Sequence, residues 1–343
     1  VRNTLIFSSL TFLSRLTGMV RQMAVLTVLG QSRLSDAYLL AINIPVMLYE
    51  FAVGGLLSAL FIPVLVRHQE EHGKDSPEAW RIANLLLGTV GLVMGLVSLL
   101  VILFAPQVTY GITFLAKEGQ AGAARDMVEF FVRYFAPQLL FIGVNAVLQA
   151  ILNSHNAFAV TGAAPVLNNV VVITVLGLYW FGVVGTTGLA LGTTAGVAAM
   201  TLMQLIALRH IGMPLRPRVD FRDPVFKTLT TLGKPMVAVS GANFLGTTLR
   251  ANLLFTIPTG FTVFANCFQL IMVPYGIFAV SIATVLFPAM SRAVASGDRE
   301  GFARTLSLGF RWTLLVMVPV AVMLSVLAEP VIRVLFERGN YSY

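Results

Sequence analysis

Long apolar runs and short polar breaks alternate along the whole chain. A helix needs about 20 apolar residues to cross a bilayer. Runs of that order fall at 4–30, 36–66, 82–106, 128–152, 160–181, 184–208, 228–256, 261–291 and 306–328, which predicts about nine spans. The runs lack the strict two-residue alternation of an outer-membrane strand, so the predicted elements are helices. Three of the breaks carry clear charge: Arg67 to Arg81, Arg209 to Lys227, and Arg292 to Arg304. The opening stretch Asn3 to Leu13 has the shape of a signal peptide. Arg15 and Arg21 then interrupt it and no small-residue cleavage site follows, so a retained first helix is expected.

Composition sharpens this picture. Of 343 residues, 23 are Lys or Arg and 15 are Asp or Glu, so 11% are charged and 57% are hydrophobic. Soluble domains carry about 25% charged residues. So few charges cannot cover so much apolar surface in water. The balance excludes a soluble enzyme, a disordered chain and a disulfide-stapled secreted module. It predicts an all-α integral membrane protein, a polytopic helical bundle. Cys267 is the single cysteine, so no disulfide within the chain and no cysteine metal site is expected. Its apolar surroundings suggest a small packed residue.

The net charge of +8 belongs to loops rather than to nucleic-acid binding. Arg2, the breaks Arg67–Arg81, Arg209–Lys227 and Arg292–Arg304, and the charge-free break after span four lie on one side. They hold twelve Lys and Arg, against three (Arg33, Lys117 and Arg125) on the other. Basic loops stay in the cytoplasm, so the N-terminus is expected there.

Landmarks recur at a fixed distance. Phe51-Ala52-Val53 and Leu60-Phe61-Ile62-Pro63 near the end of span two match Phe278-Ala279-Val280 and Leu286-Phe287-Pro288 in span eight. Pro63 and Pro288 are 225 apart, Pro106 and Pro330 are 224, Pro45 and Pro274 are 229, and Gly30 and Gly260 are 230. A period of about that length covers six helices. It predicts two pseudo-symmetric six-helix lobes of equal orientation, related by an axis along the membrane normal, with a cavity between them. The expected division is an N-terminal lobe over 1–208, a basic cytoplasmic linker over 209–227, and 228–343 as the first three helices of a truncated second lobe. At least three further helices are then expected in the complete protein.

Ionisable groups inside spans are expensive in hydrocarbon and mark cavities or partners. Span one carries Arg15 and Arg21, span two Asp36 and Glu50, and span seven Lys234 and Arg250. Arg15 and Arg21 lie six residues apart, about 240° around an ideal helix, so one face does not carry both. Arg250 matches Arg21 in the repeat, and the two are expected to face each other. Arg15, Arg21 and Arg250 form a candidate cationic site for a phosphate, which the planar guanidinium fork binds in pairs. The alternative is internal ion pairs, Arg21 with Glu50 and Arg15 with Asp36. Lys234 and Arg133 are placed to snorkel. Pro45, Pro137, Pro165, Pro235, Pro274 and Pro319 permit bends within spans.

His68, His72, His155 and His210 are scattered in breaks and form no three-ligand set. No phosphate loop or nucleophile motif appears. A transporter rather than an enzyme is expected, with no cofactor and no metal.

Several landmarks together are specific. Ser14-Arg15-Leu16-Thr17-Gly18, Val20-Arg21, Leu29-Gly30 and Ser35-Asp36-Ala37-Tyr38 resemble the opening of the MurJ (MviN) family of lipid II flippases. So do Pro45, Gly55, Ser58, Phe61 and Pro63; Ala150 to Asn153, Phe158 and Ala164 to Asn168; and Pro274-Tyr275-Gly276 to Leu286–Ser291. The resemblance covers essentially the whole chain and implies kinship with multidrug and polysaccharide exporters. It implies a bacterial cytoplasmic-membrane protein that moves a polyprenyl-diphosphate-linked peptidoglycan precursor, lipid II, from inner to outer leaflet by alternating access. The family's cavity arginines on helix one fall on Arg15 and Arg21, and its helix-two aspartate falls on Asp36. Its helix-two arginine is replaced by the Tyr49-Glu50 region, its helix-eight arginine by Gln269, and an acidic residue by Gln22.

The expected partners are the lipid-linked glycan diphosphate and membrane lipids, with cell-wall synthesis proteins as further candidates. Alternatives are a flippase for another lipid-linked glycan or a multidrug exporter of related fold. In such an exporter Asp36 and Glu50 would outweigh the arginines. A non-transporting scaffold for cell-wall enzymes is the alternative of another class. An intramembrane transferase is disfavoured by the lack of clustered carboxylates.

Overall fold

The computed structural model describes residues 2–54, 73, 76–116 and 118–336, which are mainly helical with no strand among them. The helices are α1 (Arg2–Leu29), α2 (Arg33–Tyr49), α3 (Pro77–Leu103), α4 (Ala105–Thr113), α5 (Glu118–Phe135), α6 (Gln138–Ser154) and α7 (Phe158–Trp180). They continue with α8 (Thr186–His210), α9 (Pro224–Phe255), α10 (Gly260–Pro274), α11 (Val280–Ala295), α12 (Arg299–Val326) and α13 (Ala328–Phe336). Every expected span is met by helix, although the end of span two, with Leu60–Pro63, lies outside the described residues. So do Arg67, His68, His72 and Lys74. Among the described residues five helices are long and apolar enough to cross a membrane: α3, α7, α8, α10 with its continuation to Ala279, and α12.

Local chemistry sets the helix ends. Ser32 caps α2 by accepting from the Ser35 N–H at 3.1 Å. Ser76 caps α3 ahead of Pro77 by accepting from the Ala79 N–H at 3.2 Å. Asp298 caps α12 through the Gly301 N–H at 2.8 Å. Each side-chain oxygen satisfies an N–H that the first helical turn leaves open. The expected fourth span is not one helix: α5 and α6 meet at a 43° bend at Ala136-Pro137. Proline lacks the N–H that would carry the ladder through. The expected third span ends close to its predicted bound, at Leu103, and the short α4 follows from Ala105.

The core lies in the first eight helices. α1 runs along α7, α7 along α8, α3 along α6 and α2 along α5. Tyr38 sits at the centre, edge-on to Phe131 and Phe135 at 5.5 Å, with its hydroxyl 3.0 Å from that of Thr193. Small residues bring the helices close. A Cβ on Gly192 of α8 would lie 2.5 Å from Cγ2 and 2.6 Å from Cγ1 of Val175 on α7. Gly192→Val is therefore expected to overpack this seam and destabilise the bundle by about 1–3 kcal/mol, read as a lower midpoint of thermal unfolding in detergent.

By contrast, α12 has no buried residue among those described, and only its stretch 314–324 is unbroken by polar residues. Cys267 also departs from expectation. It is exposed, on the rim of an apolar groove of about 370 Å³ between α10, α12 and α13. Cys267 is therefore not the enclosed packing residue that the sequence predicts.

Both α2 and α10 pass directly into a π-helical turn, at Glu50–Gly54 and Tyr275–Ala279. The two turns begin 225 residues apart, the spacing of the sequence repeat. Such wide turns locally free the ladder and bend a helix.

Candidate functional site

The rotation of α1 decides where its arginines go. Asn169 of α7 donates to the Thr17 hydroxyl at 3.0 Å and to the Ser14 carbonyl at 3.2 Å. Gly162 of α7 lets Leu10 approach, since a Cβ there would lie 2.8 Å from Leu10 Cβ. With that face turned to α7, Arg21 points between the two halves of the molecule. Arg15 does not join it. Its Nη1 lies 2.6 Å from where a Cβ on Gly276 would stand, against the π turn after α10. The six-residue spacing thus separates the two cations, as ideal helix geometry requires.

Arg21 and Arg250 line one cavity of about 290 Å³, with Gln22, Asn43, Thr247 and Gln269 as polar neighbours. α1 and α2 contribute one wall, and α9 and α10 the other. No carboxylate is among the described residues that line it. Among the described ion pairs none involves Arg21 or Arg250. The alternative pairing of Arg21 with Glu50 is not formed. Arg250 is held by aromatic faces, its guanidinium carbon 5.3 Å from the Phe264 ring centroid and 5.9 Å from that of Phe268. Cation–π attraction positions a charge without neutralising it. The cavity therefore presents two guanidinium groups, one from each half, inside the bundle, where a bound anion is screened less than at an exposed surface.

Glu50 lies elsewhere. It lines a neighbouring cavity of about 280 Å³ with Phe51, Ser240, Asn243 and Phe244. Asn43, Met47 and Thr247 border both spaces, so the two are contiguous. Phe51 and Phe244 meet across it at 5.1 Å.

Asp36 lines neither cavity and does not pair with Arg15. It is 5% exposed, and its Oδ1 accepts both the N–H of Thr262 at 2.8 Å and the hydroxyl of Thr262 at 2.6 Å. Thr262 lies in the first turn of α10. Thr259, the cap residue of that helix, adopts a left-handed backbone (φ 60°, ψ 6°) and makes no side-chain cap bond. Asp36 caps the helix from across the molecule.

Two further clasps join the halves. Asn252 of α9, fully buried, donates to the Gly111 carbonyl at 3.1 Å and accepts from the Leu115 N–H at 3.2 Å. Gln22 donates to Asn266 at 2.9 Å.

Thr262, Asn252, Asn266, Phe264 and Phe268 were not among the sequence candidates. The aromatic pair had a legible signal, two rings four residues apart on the helix facing Arg250. A buried polar residue in an apolar run was the signal for Asn252 and Asn266.

A sequence model of one family, described as lipid II flippase MurJ, matches residues 25–343. A probable lipid II flippase MurJ of Vibrio cholerae is 30% identical over all of this chain, which covers 66% of that protein. A lipid II flippase MurJ of Burkholderia cenocepacia is 27% identical over 99% of the chain and 66% of its own length. The chain thus spans slightly under two thirds of the curated relatives it matches. Among solved structures, lipid II flippase MurJ in an inward closed conformation superposes with a TM-score of 0.77 at 23% identity, over 98% of this chain and 68% of that one. An inward-facing multidrug resistance MATE family transporter of the MOP superfamily gives 0.73 at 14% identity, over 98% and 77%. At these identities the likeness speaks for the fold.

Proposed function

The chain belongs to the lipid II flippase MurJ family, and from that premise we propose that the protein it represents moves a polyprenyl-diphosphate-linked peptidoglycan precursor from the inner to the outer leaflet by alternating access. The observation that carries this is the shared cavity of Arg21 and Arg250, two cations from opposite halves with no carboxylate among the described lining residues. A diphosphate would be gripped by both guanidinium groups while its polyprenyl tail stays in the membrane. Arg15, Asp36 and Glu50 act around that grip rather than in it.

The two halves are proposed to be lobes that rock against each other, 1–208 and 228–343, with 209–227 between them. The paired π turns 225 residues apart support this. The basic breaks support an N-terminus in the cytoplasm. In that orientation the Asp36, Asn252 and Gln22 clasps lie toward the outer face, and the Glu50 cavity lies nearer the cytoplasm. Closure outside and access from inside make a loading state.

A second reading is a flippase for another lipid-linked glycan. Gln269 on the cavity wall, where the resemblance implies an arginine, favours it, because fewer cations suit a less charged headgroup. The test is survival of cells depleted of their own lipid II flippase, carrying the full-length protein that contains this chain. Rescue is expected, with loss of rescue by Arg21→Ala plus Arg250→Ala at equal membrane abundance. Rescue by both would point instead to a scaffold for cell-wall synthesis proteins. Rescue by neither would favour the other glycan.

A further inference from the structure

Residues 211–223, between α8 and α9, form no helix yet are tied down along α3. Asn84, 5% exposed, uses its whole amide and its backbone there. Its Nδ2 donates to the carbonyls of Pro214 at 2.8 Å and Trp80 at 2.9 Å, and its Oδ1 accepts the Arg216 N–H at 2.7 Å. Its carbonyl accepts the Arg218 N–H at 3.1 Å. One turn along, Gly88 leaves the space the strap occupies, since a side chain there would collide with the Arg218 carbonyl. Asp223, 7% exposed, closes the far end on the Arg81 guanidinium. The segment is therefore a strap fixed to the N-terminal bundle, not a free tether.

Its outer side has a definite chemistry. Arg216, Arg218 and Arg222 are exposed, and beside them stand Leu215, Val219 and Phe221, exposed by 43%, 44% and 60%. The only acid among residues 211–222 is Asp220, whose carboxylate accepts the Arg222 N–H at 3.0 Å.

The strap also lies at a definite depth. The 27 residues of α3 rise about 40 Å, some 10 Å more than the hydrocarbon layer. Residues 85–103 carry no charge and alone span about 28 Å. Asn84 and Gly88, and the strap upon them, then sit where hydrocarbon gives way to headgroups. Guanidinium groups there meet phosphates, and apolar neighbours enter the acyl boundary.

We propose that the strap 211–222 docks on anionic phospholipid headgroups through Arg216, Arg218 and Arg222, anchoring the N-terminal bundle at that leaflet. The inference rests on the membrane-transporter reading, but on neither the substrate nor the sidedness.

The test uses the chain in lipid nanodiscs, which expose both leaflets and so leave sidedness out of the result. With Cys267→Ser removing the native thiol, a spin label at Val219→Cys reports depth from its relative collisions with oxygen and with a water-soluble nickel chelate. Adding about 30% phosphatidylglycerol to phosphatidylcholine discs is expected to raise the oxygen-to-nickel ratio several-fold. Arg216→Gln, Arg218→Gln and Arg222→Gln together should abolish the rise, and so should 1 M salt on the unsubstituted strap, which needs no refolding of a variant. Equal depth in both lipids, unmoved by the triple substitution, would overturn headgroup docking in favour of simple apolar seating. A label that stays aqueous in both would overturn it too, and would leave the surface to an acidic protein partner.

Discussion

Arg21→Gln and Arg250→Gln are each expected to weaken binding of a polyprenyl diphosphate roughly ten- to a hundredfold, whereas Arg15→Gln leaves it within about twofold. A hydrogen bond to a charged group contributes about 1.5–3 kcal/mol, and 1.4 kcal/mol is a factor of ten. Glutamine keeps length and polarity, so the loss reads the charge and the paired fork. The two effects should not add: a diphosphate released by one arginine has little left to hold the other, so the double substitution falls short of the product. Titration of the detergent-solubilised full-length protein with a polyprenyl diphosphate, at two salt concentrations, measures this. Arg15 is the internal control, because it lies against Gly276 and not on the cavity. Equal losses for all three substitutions would mean that total charge, rather than the Arg21 and Arg250 cavity, holds the ligand. Phe264→Leu should weaken binding less, by roughly two- to fivefold, since it removes one of the two aromatic faces that position Arg250.

The sequence made the helices legible because nearly every transmembrane position is apolar and bilayer thickness sets the period. The break inside the expected fourth span was half legible. Pro137 announced a bend, but only packing decides whether a proline kinks a helix or divides it, and here α5 and α6 part by 43°. The repeat set Arg21 and Arg250 at matching positions of the expected lobes, and the two line one cavity. Arg15 illustrates the opposite case. Its charge marked it, but its direction depends on how Asn169 and Gly162 turn α1, and those contacts are 155 and 152 residues away for Asn169. Asp36 was marked as intramembrane acid, and its sequence offered arginine as a partner. The partner is instead an N–H and a hydroxyl on a helix whose own cap residue has a left-handed backbone, a local conformation that apolar periodicity does not encode.

That arrangement makes Asp36→Ala the substitution with the clearest conformational outcome. The carboxylate accepts two hydrogen bonds from Thr262, itself fully buried, and faces the positive end of α10. Without it the Thr262 N–H, the open helix-end donor that Asp36 caps, is left buried without a partner, at about 1–3 kcal/mol. The penalty falls on the state in which α2 and α10 touch. It is relieved when the two helices part and water reaches the helix end, so the population should move toward separation by roughly ten- to a hundredfold. Spin labels at the N-terminal ends of α2 and α10 in the full-length protein should then show a second, longer distance that the unsubstituted protein lacks. Asp36→Asn should give an intermediate result, because its amide oxygen can still accept while its charge no longer complements the helix end. Thr262→Val tests the same clasp from the other side. It keeps the N–H bond and removes the 2.6 Å hydroxyl bond, so it should shift the distances less than Asp36→Ala. An unchanged distance distribution in all three would show that the remaining clasps, Asn252 to Gly111 and Leu115 and Gln22 to Asn266, hold the closure without Asp36.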